Sequence, residues 1–189
     1  MVQLLAHLGG SRVFLGDSRD LPWLLPGFAI SVAIAIAAGG WVGRALGLRR
    51  AIAAALIVSL GLILAATLTP QWEALAFGAV GSGTCDFSRM SLAPLHELLR
   101  FDDTSLNVLL FMPLGIAIAF MPRSRLKVAV LVAAIALPFA IETTQLLLPI
   151  LDRGCQSADV IDNLTGLVLG LAGGAVAGRL ASAVYRRPR

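Results

Sequence analysis

The chain is short of charge. Asp, Glu, Lys and Arg together make up 14% of its 189 residues, little more than half of what a soluble domain carries. That excludes a water-soluble globular fold. Aromatic residues are scarce too, at 6% with a single tyrosine. The basic residues stand in small groups at the ends of apolar runs, without the clustered patch and stacking aromatics of a nucleic-acid binder. The pI near 10 therefore implies no nucleic-acid partner. No phosphate-cradling glycine loop, HExxH or nucleophile elbow is present. His7 and His96, the two histidines, lack ligand-like spacing and read as solvated. With no ligand-spaced loop motif, neither a metal nor a cofactor is expected. The first 20 residues show no basic segment followed by a compact apolar core and cleavage site, so they do not read as a signal peptide.

What the chain has in excess is apolar length. Hydrophobic residues reach 58% and the mean hydropathy is +0.86. Five apolar stretches run roughly Pro22–Gly43, Ala51–Pro70, Leu106–Met121, Val128–Ile150 and Val160–Gly178. A membrane span needs about 20 such residues, and the third stretch is only just long enough. In hydrocarbon the backbone must bond within its own segment, so all five are expected to be helices. The fold class expected is all-α, a polytopic membrane protein of about five transmembrane helices.

Charge sets the expected orientation. Arg44, Arg49 and Arg50 join the first two spans, Arg123, Arg125 and Lys127 join the third and fourth, and Arg179, Arg186, Arg187 and Arg189 follow the fifth. No acid lies among these ten basic residues, whereas the other side mixes both signs. The positive-inside rule then puts the N-terminus outside and the C-terminus in the cytoplasm.

That topology gathers the unusual polar residues in the outer half of the membrane. Asp103 and Asn107 open the third span, and Glu142 and Gln145 share one face of the fourth. Arg153 lies in the short outer loop. Asp159, Asp162 and Asn163 stack at i, i+3, i+4 where the fifth span begins. Ionisable groups at membrane depth usually face a bundle interior or polar cavity, so these residues are read as the walls of an outward-facing ligand-binding pocket. Taken alone, Asp162 reads more simply as an exposed carboxylate favoured by a helix start. Asn107, Gln145 and Asn163 taken singly read equally well as bonds that join helices. Asp159 is expected to pair with Arg153, and the deeper Glu142 to be protonated or bonded to Asn163.

Pro113 and Pro138 fall inside spans three and four, as packing kinks or as breaks that line a cavity. Gly166, Gly170, Gly174 and Gly178 form a four-residue ladder. Such a ladder lets a helix approach closely, either within the chain, the default reading, or along a homodimer seam. The only two cysteines, Cys85 and Cys155, lie in outer loops, where a disulfide can persist, and a bridge between them is expected, pinning the Gln71–Ser105 loop over the pocket beside Arg153.

In order and spacing, "DTSLNVLLFMPLG" (Asp103–Gly115), "ETTQ" (Glu142–Gln145), Arg153 and "DVIDNLTG" (Asp159–Gly166) resemble the VanZ-like family, named for a protein linked to teicoplanin resistance. The pattern falls on Asn107, Phe111, Pro113, Gly115, Glu142, Gln145, Arg153, Asp159, Asn163 and Gly166. Members often carry an acid between the Arg and the Asp, where this chain has Gln156 and Ser157. The typical member has four spans, so the first span here looks like an addition. The organisation expected is a tail and additional span over residues 1–50, a VanZ-like membrane domain over 51–178 and a basic cytoplasmic tail over 179–189. The resemblance implies a bacterial cytoplasmic-membrane protein with an envelope role and a part in antibiotic tolerance, but no particular chemistry.

Two functions are expected from this reading. In the first, the pocket binds an amphiphile, such as a membrane lipid, a lipid-linked envelope precursor or a lipoglycopeptide antibiotic, with Arg153 gripping an anionic head group. In the alternative, the protein is an intramembrane enzyme on such a lipid, with Glu142 and Asp159 as catalytic acid and base. A transporter is disfavoured, since no polar relay or inverted repeat reaches the inner half.

Overall fold

The computed structural model describes residues 22–94, 96 and 103–185. The tail over residues 1–20 and the basic residues Arg186, Arg187 and Arg189 lie outside them. The elements in order are α1 (Leu24–Leu46), α2 (Arg50–Thr67), a short α3 (Trp72–Phe77) and β1 (Cys85–Asp86). Then come α4 (Asp103–Ala119), α5 (Arg125–Leu147), a 3-10 turn (Pro149–Leu151), β2 (Cys155–Gln156) and α6 (Ser157–Tyr185).

Helices α1, α2, α5 and α6 are long and apolar enough to cross a membrane, and α4 is a shorter apolar helix of 17 residues. At 1.5 Å per residue α4 measures about 26 Å against a hydrocarbon core of about 30 Å, matching the short third stretch of the sequence. Helices α4 and α5 continue through Pro113 and Pro138, and α6 runs on past Gly178 to Tyr185. The turn between α1 and α2 depends on Gly47, whose left-handed φ of 64° suits glycine and ends α1 in a capping turn.

Two close helix pairs build the bundle. In the first, α1 and α2 run antiparallel, with Gly27 against Ala65, Gly61 against Ser31 and Gly39 against Ala54. In the second, α4 and α6 run parallel. A Cβ added at Gly166 would overlap the carbonyl of Val108, one at Gly170 that of Met112, and one at Gly174 the side chain of Ala119. Gly115 returns the contact against the carbonyl of Leu167. The ladder is therefore occupied within the chain. Gly166, Gly170 and Gly174 pack against α4, the intramolecular partner of the default reading.

Ile63 of α2, Phe111 and Ile118 of α4, Ile141 of α5 and Leu167 of α6 meet at the centre of the bundle. Large apolar side chains such as Ile36, Val132 and Val168 face outward, which in water would be an aggregating patch and in a bilayer meets acyl chains. The tryptophans sit near helix ends, Trp23 and Trp72 at one end of the bundle and Trp41 toward the other, where amphipathic rings prefer the membrane interface.

Candidate functional site

The C-terminal ends of α2 and α5 and the N-terminal ends of α4 and α6 come together at one end of the bundle. Glu142, Gln145, Asp162, Asn163 and Ser105 are buried there, Asp162 and Asn163 to 1% exposure. Asp159, Asn107 and Arg153 are partly exposed and Asp103 is exposed. The eight polar residues singled out in the sequence thus lie on elements that meet at one end, Asp103 on its outer rim.

Backbone groups organise the cluster. The end of α2 and the turn just past it present free carbonyls, since the final turn of a helix has no intrahelical donors for them. Gln145 Nε2 donates to the carbonyl of Thr67 at 2.9 Å, and Arg153 Nε to that of Thr69 at 3.1 Å. Asp152 turns the chain through a left-handed residue (φ 53°) immediately before Arg153. Burial pushes the Arg153 guanidinium below its ordinary value, while the nearby charge of Asp159 acts the other way. That interaction falls short of the direct pair expected from the sequence: among the described residues, Arg153 and Asp159 form no salt bridge. Glu142 differs as well. Its Oε2 accepts from the backbone N–H of Gln156 at 2.7 Å, so the loop before α6, and not Asn163, supplies its donor.

A second chain segment closes the cluster from above. Cys85 and Cys155 form a disulfide with Cα atoms 4.5 Å apart, and β1 pairs with β2 in parallel, Cys85 opposite Cys155 and Asp86 opposite Gln156. The N–H of Ser88 donates to Asp86 Oδ1 at 2.8 Å, a tight turn that also holds the Asp86 carboxyl below its usual range. This turn delivers Arg89 to the start of α6, where its Nη1 donates to Asp162 Oδ1 at 3.1 Å and its Nη2 pairs with Oδ2. Ser157 Oγ donates to the carbonyl of Arg89 at 2.7 Å. The loop is fixed to the 3-10 turn by Gly81 N–H to Pro149 O at 2.8 Å, and its base by Gln71 N–H to Leu151 O at 3.1 Å.

Asp162 is therefore no exposed helix-start carboxylate. It is buried and forked to a guanidinium, because a carboxylate one turn inside a membrane helix requires a counter-charge. Arg89, Thr67 and Thr69 are the participants that motif reading missed. The disulfide carries the signal for Arg89: it brings the chain four residues past Cys85 alongside β2 and the first turns of α6.

Three buried polar atoms in this region have no protein partner among the described residues: Gln145 Oε1, Arg153 Nη2 and Asn163 Oδ1. The described residues hold no grouping of three His, Cys, Asp or Glu side chains suited to a metal ion. Two sizeable clefts lie nearer the opposite end. One, of about 940 Å³, lies between α2 and α4 beside Pro113, and the other, of about 620 Å³, lies among α4, α5 and α6.

Searches of curated proteins and of solved structures found no match. A family model described as VanZ/LLP1 matches residues 52–177, which is two thirds of the chain and runs from the first turn of α2 into the C-terminal half of α6, with every residue of the polar cluster. The chain is a multi-pass helical membrane protein and belongs to the VanZ/LLP1 family.

Proposed function

We propose that the polar cluster binds the head group of an amphiphile (a membrane lipid, a lipid-linked wall precursor or a lipoglycopeptide antibiotic) and that the protein thereby contributes to tolerance of glycopeptides such as teicoplanin. The cluster faces the outside, with the N-terminus out and the basic end in the cytoplasm, a reading supported by the positive-inside distribution of charge.

The observation that carries this reading is the set of buried atoms without protein partners, Gln145 Oε1, Arg153 Nη2 and Asn163 Oδ1. Each such group costs about 1–3 kcal/mol, and native proteins leave few. One guanidinium donor and two amide acceptors suit a head group that combines an anionic oxygen with hydroxyl or amide N–H donors. Lipid phosphates carrying sugars, glycerol or peptide have this chemistry. The gaps between spans would take the tail.

The alternative, acid–base catalysis on a lipid, draws on Glu142 and Asp159. Glu142 is buried while Asp159 is partly exposed, the unlike settings such a pair needs. Against it, Glu142 is held by the Gln156 N–H, which makes it an acceptor within the fold. Binding is the reading preferred.

The test is mass spectrometry of lipids that co-purify with the full chain. An amphiphile enriched over the bulk membrane and depleted by Arg153→Lys is expected. Co-purifying lipid that merely mirrors the membrane, unchanged in the variant, would contradict the proposal.

A further inference from the structure

The end of the bundle opposite the polar cluster carries a different kind of site. A cleft of about 620 Å³ opens among the C-terminal end of α4, the N-terminal end of α5 and the C-terminal part of α6. Arg123, Lys127 and Arg179 surround it, Phe120 forms a wall, and the small residues Gly178, Ser182 and Ala183 leave room along α6. Among the described residues, no acidic one lines it. From the geometry and charge of this cleft we infer a binding site for an anionic glycerophospholipid of the adjacent leaflet, its phosphate held by the three cations and one acyl chain lying along α6. This inference is independent of the polar cluster and of what binds there.

Depth fits a lipid head. Arg179 follows Ser157, the first residue of α6, by 22 positions, or about 33 Å at helical rise. That is about the thickness of a hydrocarbon core and places the guanidinium where lipid phosphates lie. The cations are also available. Arg123 and Arg179 are exposed, and among the described residues neither has an acidic partner. Lys127 donates to the carbonyls of Ala119 at 2.9 Å and Met121 at 3.2 Å. Those bonds fix the ammonium at the end of α4 and leave the third of its three donors for a ligand. Basic pockets between membrane helices at this level are suited to phosphorylated head groups. A free phosphate would use the same cations but would not need the small-residue floor.

The floor follows from the helix pairing. Gly174 is needed for contact with α4, whereas a Cβ added at Gly178 would meet only the Phe120 ring, at an ordinary 3.7 Å. Beyond Gly174 the two helices separate, and the cleft opens where the ladder loosens.

The test uses the full chain in nanodiscs containing equal phosphatidylglycerol and phosphatidylcholine, with lipids retained on the released protein counted by native mass spectrometry. Preferential retention of phosphatidylglycerol is expected. In an Arg123→Gln/Arg179→Gln variant it should fall roughly 25-fold, about fivefold for each charge removed. An Arg44→Gln/Arg50→Gln variant removes the same charge from the same end outside the cleft and should retain the lipid normally. Equal retention of both lipids by the wild-type chain would overturn the inference, as would equal losses in the two variants. Inorganic phosphate at millimolar concentration displacing the retained lipid would assign the cations to a soluble anion instead.

Discussion

Arg89 and Asp162 stand 73 positions apart in sequence, yet the guanidinium of one forks onto the carboxylate of the other. The arginine side chain is 25% exposed and the aspartate 2%. This pair joins the loop that carries β1 to the start of α6, and it decides how the polar end of the bundle responds to substitution.

Removing one partner leaves a buried charge uncompensated, at a typical cost of 3–5 kcal/mol, while replacing both with apolar groups of similar size can be neutral or better. Arg89→Ala should therefore lower the unfolding temperature of the detergent-solubilised protein markedly, followed by tryptophan fluorescence. The Arg89→Met/Asp162→Leu pair should recover most of the loss. A single variant as stable as wild type would mean the pair does not hold the loop.

The disulfide acts on the same loop. It closes a segment with a separation of 70 residues, and loss of such a bridge typically removes 2–4 kcal/mol. Cys85→Ser/Cys155→Ser should destabilise by about that much, and neither thiol of the native protein should alkylate without reductant. Quantitative alkylation of both would show that the bridge is absent.

The α4–α6 seam separates two classes of glycine. A Cβ at Gly170 runs into the carbonyl of Met112, whereas one at Gly173 meets nothing within 4 Å. Overpacking costs about 1–3 kcal/mol, so Gly170→Ala should destabilise by that order and Gly173→Ala should be neutral or mildly stabilising. Equal behaviour of the two in a thermal-stability assay would place the seam elsewhere.

Most of the scaffold was legible in the sequence because hydropathy and small-residue spacing are local signals. The spans, the short α4 and the ladder at Gly166, Gly170 and Gly174 follow from them. The co-location of Glu142, Gln145, Asp162 and Asn163 followed from helical spacing plus alternating direction. What was not legible was who pairs with whom. Asp162 looked exposed because its cation comes from Arg89, in a loop whose path is set by a turn at Asp86 and Ser88 and by the bridge to Cys155. Glu142 found the N–H of Gln156, and Arg153 the carbonyl of Thr69. Backbone groups carry no residue-specific signal, so such partners stay hidden until the chain is folded.

Orientation has its own test. Since Cys85 and Cys155 are bonded to each other, a single added cysteine supplies the only free thiol. Glu73→Cys, exposed after α2, should react with a membrane-impermeant maleimide in intact cells, and Ser124→Cys, between α4 and α5, should react only after permeabilisation. The reverse pattern would invert the topology and put the polar cluster in the inner leaflet.

The central claim is that the polar cluster binds a head group through Arg153. Lysine at that position keeps the charge but loses the planar fork that presents Nη2. Teicoplanin susceptibility of a host expressing each variant at matched levels is the direct measurement. Arg153→Lys should abolish most of the tolerance, with graded losses for Glu142→Gln and Asp159→Asn, because near-isosteric amides preserve packing while weakening the charged network. Complete loss in both carboxamide variants with the protein still folded would favour acid–base chemistry. Wild-type tolerance in all three variants would contradict the claim and reduce the cluster to a structural joint between helices.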